Sequence, residues 1–182
     1  MTRIQIPQTI ADAPEKSQEL LRGVEKQLGS VPNLYRLVAT SPAAIEGLLS
    51  LNGALGKSSL TAATRERIAL AISEYNGCEY CLAAHTYIGQ NLVKLTESEI
   101  LANRNGHSSD AKANAAIRFA LAIAESKGNV SADEFEAIRT AGFSDAAIIE
   151  IIGLVALNVF TNYANNVLLT EVDFPVVEEL AI

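Results

Sequence analysis

At 182 residues and 49% hydrophobic side chains, the chain is long enough to bury one sizeable core and too apolar to be disordered, so a single domain over 1–182 is expected. Its formal net charge of −7 offers no basic footprint for nucleic acid or an anionic membrane and disfavours polyanionic substrates. Two cysteines are too few for a disulfide framework, and Met1-Thr2-Arg3-Ile4-Gln5-Ile6-Pro7 lacks the apolar run of a signal peptide, which together point to a cytoplasmic, reducing location.

Taken in order, residues 1–13 read as an extended arm. Pro14 suits a helix start, and Leu20, Leu21, Val24 and Leu28 give the following helix one apolar face until Gly29 closes it. A short helix from Asn33 to Ala39 follows Val31-Pro32. Ser41-Pro42 caps and opens another, to about Leu55 and the stop at Gly56. Thr61 caps the helix that carries Glu66. Beyond a second helix ending near Leu92, Thr96-Glu97-Ser98-Glu99 has the form of a capping box and opens a short helix. The polar stretch 103–110, with Gly106 and two serines, is expected to be a mobile loop. Asp110 starts a helix with Ala113, Ile117, Ala120, Leu121 and Ala124 on one face, stopped at Gly128. Ser131-Ala132-Asp133-Glu134 is a second capping box, and Ser144 caps the last long helix, to about Leu169, before a tail over 170–182. Its apolar run from Ile148 to Phe160 is broken by Glu150 and Asn158. That run is too short and too polar for a membrane span, and reads as a buried helix or a subunit interface. No hairpin signal or sustained β alternation occurs, so the fold class is all-α, a helical bundle. Glu66 and Glu150 both open apolar helices after a small capped turn, an echo that a duplicated helical unit would leave; sliding one onto the other sets Asn162, Asn165 and Leu169 against Cys78, Cys81 and His85.

The stretch from Glu66 to His85 holds both cysteines and one of the two histidines. A lone Cys-x-x-Cys is either a redox pair or part of a metal site. Asn76-Gly77 ends one helix near Tyr75, and a second starts near Cys78. That puts Cys78 in the first turn, where free N–H groups and the helix dipole favour a thiolate. Cys81 lies one turn on, with His85 four residues further on the same face. On one unbroken helix Glu66 and Cys78 would stand roughly 18 Å apart; folded back as a hairpin, Glu66 meets His85 instead. Zinc held by Cys78, Cys81 and His85, with Glu66 as a fourth ligand, is the rival reading, but structural zinc usually wants a second Cys/His pair and only the distant His107 remains. Glu66 also sits in Arg65-Glu66-Arg67, where a solvated ion pair is the plainer expectation. Glu74, one turn before Cys78, is the competing carboxylate. Tyr80 is expected to shape the pocket rather than react, and His107 to be solvated.

The series Glu66, Cys78, Cys81, His85, at spacings of twelve, three and four, resembles the signature of the alkylhydroperoxidase-D-like proteins of the carboxymuconolactone decarboxylase superfamily. Pro32-Asn33-Leu34-Tyr35 with Ser41-Pro42, Asn158 to Tyr163, and Thr170-Glu171-Val172-Asp173-Phe174-Pro175 resemble its peroxidase-related branch. Tyr80 departs from members with a histidine between the cysteines. The resemblance implies a thiol-dependent hydroperoxide reductase whose catalytic residues are Cys78, Cys81, His85 and Glu66, without bound cofactor or metal. It also implies a protein dithiol reductant, such as a lipoyl domain or a thioredoxin-like protein, and a homo-oligomer, a trimer or hexamer. In the family the cysteine next to the histidine attacks, which here is Cys81, whereas the helix terminus favours Cys78. Lactone decarboxylation, which needs no cysteines, and a non-enzymatic redox sensor or scaffold are the alternatives.

Overall fold

Short polar side chains fix where most helices begin in the computed structural model, which describes residues 2–177. Ser41, Thr61, Asp110, Ser131 and Ser144 each accept the backbone N–H three residues on, at 2.8–3.3 Å, satisfying a donor that the first turn leaves free. Among the described residues the elements are α1 (Glu15–Leu28), α2 (Asn33–Val38), α3 (Pro42–Leu55), α4 (Ala62–Tyr75), α5 (Glu79–Asn91), α6 (Glu97–Arg104), α7 (Ala111–Ser126), α8 (Ala132–Thr140) and α9 (Asp145–Leu168), with no strand. The all-α expectation holds. The arm is less extended than expected, because Ile10–Asp12 makes a turn of 3₁₀-helix and Arg3 hydrogen-bonds the last carbonyls of α9. Of the tail expected over 170–182, residues 178–182 lie outside the described residues.

Helix α4 is the axis of the bundle. Ile68 to Ser73 are six consecutive buried residues, the mark of a helix covered on all sides, and α5, α6, α7 and α9 pack around it. By length and composition α9 would be able to cross a membrane. Within the fold its inner face carries Ile151, Leu154 and Val155 into the core. Its outer face exposes Ile149, Ile152, Phe160, Tyr163 and Val167, a stripe of apolar side chains without a partner inside the described chain. Unlike α4–α5, α9 runs unbroken, so any second copy of the helical unit lacks the break that makes the corner at Asn76-Gly77.

Residue 99 departs from the sequence reading. Thr96 caps α6 by accepting from the Glu99 N–H at 3.2 Å, but the Glu99 carboxylate does not return to Thr96. It takes Arg67 at 3.0 Å, Asn103, and the hydroxyls of Ser108 and Ser109. Asn103 belongs to α6 and is fully buried, so the segment expected to be mobile over 103–110 is tied to α4 through one buried carboxylate. Burial opposes its charge, yet the Ser108, Ser109 and Asn103 hydrogen bonds outweigh that and lower its pKa from 4.5 to about 2. A carboxylate lowered in this way contributes stability that is whole above 4.5 and is lost as pH falls toward 2. Glu99→Gln is therefore expected to cost about 3 kcal/mol at neutral pH, where Arg67 loses its buried partner. The deficit should narrow in melts taken at progressively lower pH. A difference independent of pH would show that the charge of Glu99 plays no part.

Candidate active site

The corner between α4 and α5 is made by Asn76 and Gly77. Gly77 takes φ +59°, a left-handed conformation open to glycine at no steric cost, and Cys78 becomes the N-cap of α5. Its Sγ accepts the Cys81 N–H at 3.3 Å, so its place at the helix terminus follows the sequence reading. The hairpin then brings Glu66 on α4 against His85 on α5, with Oε2 and Nδ1 2.8 Å apart and both side chains largely buried. Neither neighbouring arginine takes Glu66: Arg65 donates to the Leu60 carbonyl and Arg67 to Glu99.

Glu66, Cys81 and His85 line one wall of a cavity of about 260 Å³. Leu34, Tyr35, Leu49, Ile88, Leu157 and Phe174 supply much of the rest. Cys78 does not line it; fully buried, it sits behind Cys81 in a small cluster with Tyr80. Cys81 is 3% exposed, so the cavity is its outlet.

The two thiols are driven apart in acidity. A hydrogen bond from Cys78 is the chief influence lowering the pKa of Cys81; burial opposes it, and the nearby His85 and the amides of Asn165 and Asn162 add to it. The same hydrogen bond, together with burial, raises Cys78. For His85, burial disfavours the charged ring, but the Glu66 carboxylate, by charge and hydrogen bond, raises its pKa above 6.5. Tyr35 is raised by burial and by Glu66 and stays a neutral phenol at the cavity wall.

The remaining sequence candidates have other partners. Glu74 pairs with Arg104 at 2.6 Å and does not line the cavity; it joins α4 to α6. His107 is exposed. Among the described residues no group of three or more His, Cys, Asp and Glu side chains is placed to hold a metal ion. Tyr80 is buried, and its hydroxyl accepts the Leu34 N–H at 3.2 Å.

Sequence reasoning missed the strap that covers the cysteines. Leu169, at the end of α9, takes φ 52°, a left-handed turn that costs a non-glycine residue about 1 kcal/mol or more and redirects the chain over the site. Asp173 accepts the Asn33 N–H at 2.8 Å, and the Asn33 side chain donates to the Glu171 carbonyl at 3.0 Å. Phe174 meets Tyr80 edge-on at 5.7 Å. Two stretches far apart in sequence, Pro32 to Tyr35 and Thr170 to Pro175, thus close on Tyr80 and Cys81. Also missed were Asn162 and Asn165, buried on α9. Their signal was present: Asn158, Asn162 and Asn165 recur at the i, i+4, i+7 spacing of one helix face within an apolar helix.

The model of the carboxymuconolactone decarboxylase family matches residues 42–126, a span from α3 to α7 that includes Glu66, Cys78, Cys81 and His85. No curated protein matches the chain. An alkylhydroperoxidase AhpD core structure, of a peroxidase-related protein from Ralstonia eutropha JMP134, shares 26% identity over 94% of this chain and 92% of its own, with a TM-score of 0.83. A peroxidase-related protein from Silicibacter sp. TM1040 has the same fold at 24% identity, 93% and 91% coverage and a TM-score of 0.80. So does the debrominase Bmp8, at 22%, 95% and 94%, and 0.79. Residues 42–126 thus carry the pattern of the carboxymuconolactone decarboxylase family, on a fold that the whole chain shares with alkylhydroperoxidase-D-like, peroxidase-related structures.

Proposed function

We propose that this protein is a thiol-dependent peroxidase acting on neutral hydroperoxides with an apolar body. The observation that carries the reading is the Cys81 sulfur at the wall of an apolar cavity, with the Glu66–His85 pair beside it and Cys78 directly behind. The Cys81 thiolate attacks the outer peroxide oxygen; an S–O bond forms, the O–O bond breaks, and the alkoxide leaves. His85 supplies the proton that makes it an alcohol, with Glu66 holding the ring in place. Cys78 then attacks the sulfenic sulfur, forming the Cys78–Cys81 disulfide and releasing water. An external dithiol provides the two electrons and two protons that close the cycle. Among the described residues the cavity lining includes neither lysine nor arginine, which favours a neutral substrate over an anionic one.

Burial bears on the partner as well. Both sulfurs are covered and only Cys81 reaches the cavity, so the reductant attacks the disulfide at Cys81. A dithiol on a slender arm, such as a lipoyl group, fits that path better than the broad face of a thioredoxin-like protein. A pair cycling with a dithiol suits a reducing compartment such as the cytoplasm.

Continuous hydroperoxide consumption in the presence of a soluble dithiol tests the reading. A redox sensor or scaffold would oxidise once and stop. A lactone decarboxylase would leave peroxide untouched and keep its own activity without cysteines. The outer stripe of α9 is the surface on which copies of the chain would assemble, as a trimer or hexamer. Light scattering is expected to report an oligomer at micromolar concentration, and monomer alone would contradict it.

A further inference from the structure

Helix α9 reaches the cysteine corner with three side-chain amides. Asn165 is 3% exposed, and its Nδ2 lies 3.2 Å from the Cys81 sulfur. Asn162 is fully buried. Its Oδ1 accepts from the Asn76 amide at 2.9 Å, its own N–H group donates to the Ser73 hydroxyl at 3.4 Å, and its amide adds to the lowering of the Cys81 pKa. Asn166 donates to the Asn76 carbonyl at 2.9 Å. The turn that presents the cysteines is therefore gripped from across the bundle.

We propose that Asn165, supported by Asn162, is a catalytic residue of this site: an uncharged donor that holds the Cys81 sulfur as a thiolate, aimed and ready for attack. The inference rests on the thiol-peroxidase reading and adds to it a residue outside the cysteine, histidine and glutamate set. A stability role alone does not account for Asn165. Its Oδ1 is buried without a hydrogen-bond partner, and an unpaired buried acceptor is a cost that a leucine at the same place would not carry. A hydrogen-bond donor against an ionised sulfur offsets that cost, since bonds to charged groups are the stronger ones. Being neutral, an amide also stabilises the thiolate without adding a titrating group to the site. The titratable groups around Cys81 are Cys78 and His85 on its own helix, Tyr80, Glu66 from α4 behind His85, and Asp173 from the strap through Tyr80. From α9 come only amides.

The experiment follows the thiolate absorbance of the reduced protein with pH, which needs no peroxide and so stands apart from whether the protein is a peroxidase. It compares Asn165→Leu and Asn165→Asp with the unaltered chain, all in a Cys78→Ser background so that Cys81 alone titrates. Removing a charge-assisted hydrogen bond should raise the Cys81 titration by about one to two pH units in Asn165→Leu. The shift should be larger in Asn165→Asp, which keeps the volume and brings a carboxylate to the sulfur. With Cys78 restored, peroxide consumption by Asn165→Leu should fall several-fold at neutral pH and converge on the unaltered rate at alkaline pH, where both are fully ionised. Its melting temperature should not fall. Were the amide turned over, Oδ1 would accept from a protonated thiol and the variant would shift the other way. That result, an unchanged titration in both variants, or a melting loss with no change in the thiolate, would overturn the proposal. Failure of the unaltered chain to consume peroxide would instead count against the peroxidase reading alone.

Discussion

Cys81→Ser is expected to abolish hydroperoxide consumption, by about 10³-fold or more, because among the described residues it removes the only sulfur that faces the cavity. Cys78→Ser should fail differently. Cys78 stands behind Cys81 and outside the cavity lining, so the first attack proceeds and one equivalent of peroxide is consumed. The sulfenic acid then has no neighbour to condense with. Single-turnover kinetics with a sulfenic-acid trap separate the two variants: no burst for Cys81→Ser, and a burst of one with a persistent adduct for Cys78→Ser. The reverse pattern would assign attack to Cys78 and make the helix terminus, rather than the cavity, the deciding feature.

Glu66→Gln is expected to lower the rate by about 10² to 10⁴, the usual scale of a general acid–base contribution. Glutamine still reaches His85 but brings no charge. With Glu66 ionised, the pKa of His85 is raised, so the imidazolium persists to higher pH and supports the thiolate beside it. Without that charge the imidazole deprotonates earlier and Cys81 ionises later. The pH window in which both are in their active forms then narrows from both sides. The sign for stability is also fixed: a raised histidine contributes stability that is whole below 6.5 and fades as pH rises through its folded value. Glu74→Gln should change the rate little, since Glu74 serves Arg104 and not the cavity. Peroxide consumption against pH for both variants is the check. A silent Glu66→Gln beside a dead Glu74→Gln would mean that the other carboxylate serves the relay.

Much of the fold was readable because it is written locally. Ser41, Thr61, Asp110, Ser131 and Ser144 cap the helices they precede, and the Asn76-Gly77 corner follows from a glycine where only a left-handed residue fits. The same corner made the meeting of Glu66 and His85 legible before any coordinates. What escaped depends on partners far along the chain. Glu99 has the spacing of a capping box, but Arg67 and two serines offer its carboxylate better bonds than the Thr96 N–H does. The strap reads as a tail in the sequence because its anchors, Asn33 and Tyr80, lie 140 and about 90 residues away. Asn162 and Asn165 were visible as a pattern, yet helical spacing alone does not say which neighbour a polar face meets.

Peroxide should join Cys78 to Cys81 in one covalent event, and peptide mapping after one equivalent of hydroperoxide observes it directly. The expected product is a chain in which both thiols are lost, the Cys78 and Cys81 peptides are linked to each other, and no chain is bonded to another. Peroxide consumed with both thiols still free, or a disulfide that forms only between chains, would contradict it.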